Sequence, residues 1–133
     1  MSAVKAGNIN LAKVLLEGGA NLNAINSNGE TALSRACRNG HIDLVRLLIM
    51  NEADIDLPNE DGNTPLVWAA VSNHIEVVEM LLTSGASIDK LNCTGWTPLM
   101  QASFNGRADV VSILIREGAV IDAPNQDGVV SLL

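Results

Sequence analysis

Two histidines, His41 and His74, are the first residues in this chain that could do chemistry. An imidazole can act as a general base or as a zinc ligand. A zinc site needs further ligands at close spacing, and neither Cys-x-x-Cys nor His-x-x-x-His occurs. Gly18-Gly19 is not part of a phosphate-binding GxxxxGK loop, and no serine lies in a nucleophile elbow. We therefore predict no enzyme activity, no metal site and no cofactor.

The interval between the two histidines belongs to a repeat that runs through the whole chain. Glycines, threonines and leucines recur every 33 residues, at Gly29, Gly62, Gly95 and Gly128, at Thr31, Thr64 and Thr97, and at Leu33, Leu66, Leu99 and Leu132. A fixed period in this range indicates stacked supersecondary units rather than one globule. His41 and His74 therefore occupy the same position in consecutive units, which favours a structural role for them.

The repeated unit reads Asn-x-x-Gly-x-Thr-Pro-Leu-x-x-Ala, followed by a Gly-His turn, two apolar pairs and Gly-Ala-x-x-Asp. This pattern resembles the ankyrin repeat, most closely at residues 59–91 and 92–124, and the resemblance covers the whole chain in register. It implies an all-α solenoid of stacked helix-turn-helix repeats joined by β-hairpin fingers. It also implies that His41 and His74 hydrogen-bond to hold the turn between helices. We expect one solenoid domain over 1–133, with complete units at 26–58, 59–91 and 92–124 and partial units at 1–25 and 125–133.

Residues 59–91 indicate how each unit should fold. Thr64 is a preferred N-cap residue, whose hydroxyl can accept a hydrogen bond from the helix start, and a proline follows at the first helical position. The spacing predicts a first helix over Pro65–Ser72 and a second helix, with one apolar stripe, over Ile75–Thr83. Asn73 stands where other units have glycine, so we predict a left-handed turn there.

Three further slots carry expectations about the scaffold. Glu52 also stands where other units have glycine, and a left-handed conformation there would cost about 1–2 kcal/mol. Asn8 and Arg107 fill the histidine slot in other units, so the histidine's turn-holding role should be dispensable. Periodic aspartates are expected to brace the fingers, and they are Asp56, Asp89 and Asp122.

The two ends of the repeat pattern are not capped by polar residues. Terminal units of such arrays usually exchange outward apolar residues for polar ones, yet Leu11, Val14, Leu15 and Leu16 show no such exchange. We expect the chain to be part of a longer array or a multidomain protein. Unsealed ends would also allow end-to-end self-association.

Charge and hydropathy exclude two classes of partner. The formal net charge is −7, and no basic residue occurs between Arg46 and Lys90, whereas a nucleic-acid surface needs clustered lysines and arginines. No apolar run approaches the ~20 residues of a membrane span, and the N-terminus lacks a signal segment. We therefore predict binding to neither nucleic acid nor membrane.

The two cysteines do not form a disulfide framework. Cys37 falls in a first helix, whereas Cys93 falls at a finger tip two units along. Helical layers lie ~8–10 Å apart, so two layers exceed the ~7 Å limit between the Cα atoms of a bridge. We expect a reducing compartment, the cytosol or the nucleus.

Positions that vary between units are not needed by the scaffold, and the family resemblance implies a concave groove lined by finger tips and first helices. We predict that the groove residues are Arg35, Arg38, Glu60, Asp61, Asn63, Val67, Trp68, Val71, Trp96, Met100, Gln101 and Phe104. All three aromatic residues of the chain are among them. Tryptophan and methionine are enriched in interface hot spots, so we predict a protein-protein interaction module.

The expected partner is a protein segment or loop with an apolar anchor over Trp68 and Trp96. Its charged flanks would meet Glu60 and Asp61 at one side and Arg35 with Arg38 at the other. Two alternatives remain open. The tryptophans could simply pack between neighbouring layers, or the chain could be a structural spacer in a longer solenoid whose ligand-binding or catalytic part lies elsewhere.

One asparagine resembles a modification site of the family. Asn23 lies at the unit position where ankyrin-like repeats are β-hydroxylated by an asparaginyl hydroxylase. Leu15, eight residues earlier, fits that pattern, whereas Asn21 stands where the pattern has an acid. Hydroxylation would mark the protein without being its function.

Overall fold

The fold is a stack of helix pairs with a regular interval. The computed structural model of the chain describes residues 13, 17–19 and 21–121. In this part lie the helix pairs α1 (Ala32–Asn39) with α2 (Ile42–Met50), α3 (Pro65–Val71) with α4 (Ile75–Thr83), and α5 (Pro98–Phe104) with α6 (Ala108–Arg116). The first helices begin at residues 32, 65 and 98, and the second helices at 42, 75 and 108. The predicted all-α solenoid is confirmed.

The helices form two rows. In one row α1 packs on α3 and α3 packs on α5, and in the other α2 packs on α4 and α4 on α6. Small side chains let the first row approach closely, because Ala36, Ala69 and Ala102 are all buried at the same slot. None of the six helices is long and apolar enough to cross a lipid bilayer.

Columns of leucine fill the core between the layers. Leu33, Leu66 and Leu99 of the first helices are at most 1% exposed. Leu48, Leu81 and Leu114 form the equivalent column on the second helices and are at most 3% exposed. Each layer therefore supplies half of a core that its neighbour completes, which explains why the leucine interval is constant.

The threonine caps confirm the prediction in two units and correct it in the third. Thr31 Oγ1 accepts a hydrogen bond from the Ser34 N–H, and Thr97 Oγ1 accepts one from the Met100 N–H. Thr64 stands at the N-cap of α3, but its hydroxyl is buried without a hydrogen-bond partner among the described residues. The reason is that the Val67 N–H donates to the main-chain carbonyl of Thr64 instead, at 3.1 Å.

The turns adopt the predicted left-handed conformations. Asn73, between α3 and α4, has φ of 61°, and Glu52, after α2, has φ of 66°. In the unit at 59–91, α4 has the predicted bounds, Ile75–Thr83. Helix α3 ends at Val71, one residue earlier than predicted, because Ser72 is its C-cap.

The fingers, which connect one helix pair to the next, contain tight turns, and residues 21–121 include no strand. Each tip is organised by one asparagine, at Asn26, Asn59 or Asn92. The Asn59 Oδ1, for example, accepts hydrogen bonds from the main-chain N–H groups of Asp61 and Asn63, each at 3.0 Å. Such asparagine turns organise the tips, and the β-hairpin form of the fingers stays a prediction.

The periodic aspartates brace the fingers as predicted. Asp56 Oδ1 accepts from the Ser87 N–H at 3.0 Å, and Asp89 Oδ1 accepts from the Val120 N–H at 2.9 Å. The third aspartate, Asp122, lies outside the described residues. So does the expected partial unit at 125–133, together with most of the one at 1–25, and the unit bounds remain predictions.

Candidate functional site

The repeated histidine slot holds the layers together. His74 Nε2 hydrogen-bonds the main-chain carbonyl of Arg38 at 2.9 Å, in the preceding unit. Gly40 makes this approach feasible, since a Cβ there would lie 2.7 Å from the imidazole. In the next unit the Arg107 Nε donates to the carbonyl of Val71 at 2.9 Å. Arg107 therefore takes over the histidine's bond, which corrects the expectation that the role is dispensable.

The residues that vary between units gather around three slots of each repeat. The tip slot follows the glycine of the finger and holds Glu30, Asn63 and Trp96. The mid-helix slot lies in the first helix and holds Arg35, Trp68 and Gln101. The exit slot lies at or near the end of the first helix and holds Arg38, Val71 and Phe104. All of these nine positions except Glu30 belong to the predicted groove, and they form its larger part.

In the unit at 26–58 the tip and exit slots form an ion pair. The Arg38 guanidinium donates to Glu30 Oε1 at 2.6 Å, and Asn26 Nδ2 donates to Glu30 Oε2 at 3.0 Å. The hydrogen bond from Asn26 is the main cause of the lowered pKa of Glu30. Desolvation opposes it, and the charge and hydrogen bond of Arg38 and the charge of Arg35 lower the pKa further. Arg35 itself is exposed.

Arg38 also covers the mid-helix slot of the next unit. Its guanidinium lies 5.5 Å from the ring centroid of Trp68, within cation-π distance. Trp68 is half-buried, and its Nε1 is buried without a hydrogen-bond partner among the described residues. One face of this indole is therefore already occupied, which limits the expected apolar anchor over Trp68.

In the unit at 92–124 the same two slots form an aromatic pair. The rings of Trp96 and Phe104 meet edge to face, with centroids 5.7 Å apart at an angle of 83°. Phe104 is 79% exposed, whereas Trp96 is half-buried. An open cleft of about 260 Å³ adjoins the pair, and its walls are Asn92, Thr94, Trp96, Gln101, Phe104 and Asn105.

Side-chain amides connect this cleft to the preceding unit. Asn63 Oδ1 accepts hydrogen bonds from Asn92 Nδ2 and from Gln101 Nε2, each at 3.1 Å. The Asn92 Oδ1 in turn accepts from the main-chain N–H groups of Thr94 and Trp96, each at 3.0 Å. Asn92 therefore links the amides of Asn63 and Gln101 to the tip of its own finger, a turn that recurs in each repeat.

Two predicted groove residues are wrong, because they are core residues. Val67 is 2% exposed and Met100 is 4% exposed, so neither can offer its side chain to a partner. Side chains at this slot of the repeat face the threonine that caps the same helix. There Ser34 Oγ accepts from the Thr31 N–H at 3.0 Å, and Met100 Sδ accepts from the Thr97 N–H at 3.5 Å. Ser34 and Met100 therefore complete the cap, whereas Val67 has no polar atom to do so.

The acidic tip of the second finger adjoins the cleft. Glu60 and Asp61 are exposed, and neither carboxylate has an ion-pair partner in the part of the chain that the structure describes. The Cys93 N–H donates to the Asp61 carbonyl at 3.0 Å, so the acidic tip is bonded to the finger that forms one wall of the cleft.

The remaining chemical candidates have structural environments. Cys37 is buried, and desolvation raises its pKa to about 12, which makes it a poor nucleophile. Asn23 is exposed, and its Oδ1 accepts from the Asp54 N–H at 2.8 Å in the same brace that the aspartates provide, so its hydroxylation stays a prediction. Among the described residues no three histidine, cysteine or acidic side chains converge on a metal position.

Sequence reasoning missed three walls of the cleft, Asn92, Thr94 and Asn105. Asn92 recurs with Asn26 and Asn59, so its period indicated a scaffold role. Nothing in that period indicated that Asn92 also lines the cleft. Asn105 Nδ2 is held by the Gln101 carbonyl at 2.7 Å, a bond that only the end of α5 reveals.

A family model described as ankyrin repeats, in three copies, matches residues 1–92, and a model of the single ankyrin repeat matches residues 94–126. No curated protein matches the chain.

Proposed function

Because the chain belongs to the ankyrin-repeat family, whose members are in general protein-protein interaction modules and typically not catalysts, we propose that it binds a partner protein in a groove. The groove consists of the finger tips and the first helices. The partner contributes a segment or loop with an apolar anchor and charged flanks.

The single observation that carries this proposal is the exposed Phe104. A phenylalanine that is 79% exposed, that meets a tryptophan edge to face and that borders an open cleft gains little for folding. Burial of such an aromatic pair against a partner is typical of interface hot spots, each worth ~2 kcal/mol or more.

Charge supports the flanks of the proposed partner. Glu60 and Asp61 lie beside the cleft without ion pairs in the described chain, whereas Arg38 at the other end is paired with Glu30. Arg35 keeps an exposed guanidinium there. The acidic end is therefore the stronger electrostatic determinant of partner choice.

The test is affinity capture followed by identification of the retained proteins. Proteins bound by the wild-type chain should be lost with Trp96→Ala and with Phe104→Ala. They should be retained by Glu76→Ala and Glu79→Ala, whose exposed side chains lie on α4 away from the groove slots. Equal retention by all four variants would contradict the groove.

A structural spacer is the alternative function. A spacer would lose no interaction when Trp96 or Phe104 is replaced by a polar residue. Its thermal stability would be similar to that of a binding module. The two functions are thus separated by binding and not by folding. For either one we propose a reducing compartment, since the buried Cys37 and the exposed Cys93 are not bonded to each other.

A further inference from the structure

Three side-chain amides between the second and third fingers have orientations that their own hydrogen bonds determine. Asn92 Oδ1 accepts from two main-chain N–H groups, so Asn92 can present only its Nδ2 to Asn63. Asn63 must accept this bond through its Oδ1, because an amide NH₂ group only donates. Gln101 donates its Nε2 to the same oxygen. The arrangement therefore does not depend on an arbitrary choice between amide oxygen and nitrogen.

This chain of bonds leaves one amide nitrogen and one amide oxygen without a bond among the described residues. Asn63 Nδ2 and Gln101 Oε1 have no hydrogen-bond partner among the described residues. Gln101 lines the cleft beside the Trp96–Phe104 pair. A donor next to an acceptor matches the carbonyl and the N–H that a peptide main chain presents.

We propose that Asn63 and Gln101 bind the main chain of an extended partner segment. That segment places a large apolar side chain in the cleft and a lysine or arginine against Glu60 and Asp61. The inference rests on the proposed function and specifies its partner.

Charge complementarity selects a cation for the second position. The two tip carboxylates are exposed and unpaired within the described chain, and no basic residue occurs between Arg46 and Lys90. The acidic tip is hydrogen-bonded to the finger that forms a wall of the cleft. An anionic flank there would meet like charge, which opposes association.

The geometry of an extended chain sets the spacing between the two side chains. Side chains on one face of such a segment recur every second residue, about 6.6–7 Å apart. Neighbouring helical layers are ~8–10 Å apart, and a lysine or arginine stem adds reach. The basic residue should therefore lie two to four positions from the apolar one.

The first experiment selects binders from a displayed library of random 12-residue peptides. Peptides retained by the wild-type chain should share a large apolar residue with a lysine or arginine two to four positions away. The double variant Glu60→Lys with Asp61→Lys should select aspartate or glutamate instead. The matched control, Glu76→Lys with Glu79→Lys, changes the net charge equally on an exposed face of α4 and should select the wild-type pattern.

The second experiment tests main-chain recognition with the tightest selected peptide. N-methylation of each of its amides in turn should reveal one position that weakens binding by roughly three- to tenfold, the value of one neutral hydrogen bond. Gln101→Leu should weaken binding by a similar factor. Against Gln101→Leu, the same N-methyl peptide should show no additional loss, because the acceptor is already gone.

The outcomes separate this inference from the proposed function. If Phe104→Ala binds the selected peptide as tightly as wild type does, or if the library yields no binder, the groove itself is contradicted and the inference falls with it. If Phe104→Ala loses the peptide but charge reversal leaves the selected pattern unchanged, the basic flank is wrong. If N-methylation costs the same against wild type and Gln101→Leu, main-chain recognition by Gln101 is wrong.

Discussion

The units at 26–58 and 92–124 bring the same two slots together and fill them with opposite chemistry. In the first unit the tip and exit slots are Glu30 and Arg38, joined at 2.6 Å. In the second they are Trp96 and Phe104, with ring centroids 5.7 Å apart. The backbone around both pairs is alike, since each helix begins at a threonine whose hydroxyl accepts from the third helical N–H.

The difference separates what the scaffold decides from what the variable residues decide. The repeat brings the slots into contact whatever they contain. The ion pair satisfies its own charges and leaves Glu30 only 10% exposed at its side chain. The aromatic pair leaves Phe104 79% exposed, so of these two slot pairs only the aromatic one offers apolar area that a partner could cover.

The largest expected effect tests whether the two units share one scaffold. Leu33→Ala and Leu99→Ala remove equivalent side chains that are 1% and 0% exposed. Each should lower the free energy of unfolding by about 2–5 kcal/mol, because the hydrophobic transfer energy is lost and a cavity remains. Urea denaturation of the full chain measures both. A negligible cost for either variant would show that the two layers are not packed alike.

The next effect tests whether the slots are exchangeable. Trp96→Glu with Phe104→Arg installs the ion pair of the first unit in the second. Loss of two hot-spot side chains should weaken a groove-binding peptide by at least about 2 kcal/mol, roughly 30-fold. Isothermal titration calorimetry with a selected peptide measures this. The reverse exchange, Glu30→Trp with Arg38→Phe, leaves the cleft intact and should keep the affinity. If both exchanges lose the peptide, the two ends of the groove are not independent.

The fold was predictable because its determinants are local and periodic. A threonine N-cap and the leucine column define a helix start in every unit, and a proline follows the threonine in two of them. Left-handed slots such as Asn73 end or join the helices. The contact of Glu30 with Arg38 was not predictable, because their separation of eight residues spans a finger, a cap and a helix. No single periodicity applies across such a junction.

The site was predicted in part, for a physical reason. Variation between units indicated which slots the scaffold leaves free, and Trp96, Phe104 and Gln101 do line the cleft. Variation between units occurs both at exposed slots and at buried slots that accept several side chains. Val67 and Met100 lie at a buried slot of this kind, and for that reason they were assigned to the groove wrongly. The cation-π contact of Arg38 with Trp68 joins two neighbouring units, and its geometry depends on how their layers are offset. The repeat pattern of the sequence does not specify that offset.

A third prediction concerns the left-handed turn after the second helix, which holds Glu52 in the first unit and Gly118 in the last. Both have positive φ, 66° and 97°. Glu52→Gly should raise the free energy of unfolding by about 1–2 kcal/mol, because glycine adopts this conformation without strain. Glu52→Ala is the matched control, since it removes the same side chain but keeps the Cβ, and it should show no such gain.

The reverse substitution sharpens the same contrast. Gly118→Ala should cost about 1–2 kcal/mol. No heavy atom lies within 4 Å of the added Cβ, so the cost would report the backbone alone. Thermal unfolding of all three variants provides the comparison. A gain from Glu52→Ala equal to that from Glu52→Gly would attribute the effect to the glutamate side chain and not to the turn.

The smallest effect uses pH to separate the charged pair from the aromatic one. The pKa of Glu30 is lowered from 4.5, first by the hydrogen bond from Asn26 and then by Arg38 and Arg35. A lowered folded-state pKa means that the carboxylate stabilises the fold above about pH 4.5 and that this contribution disappears as pH falls through the folded value. Wild type should therefore lose more stability between pH 6 and pH 3 than Glu30→Gln does. The difference should stay below about 1 kcal/mol, because the arginine side chain is partly exposed and solvent screens the pair.

Trp96→Phe is the control for that titration, since it alters the equivalent slot in the aromatic unit without changing any charge. Its stability should fall with acidification in parallel with that of wild type, because every other carboxylate is shared between the two proteins. Urea unfolding at pH 3, 4, 5 and 6 in constant salt compares the three chains. If Glu30→Gln also parallels wild type, the ion pair contributes nothing to folding. The contrast between the two slot pairs would then not include an ionic contribution to folding from the first.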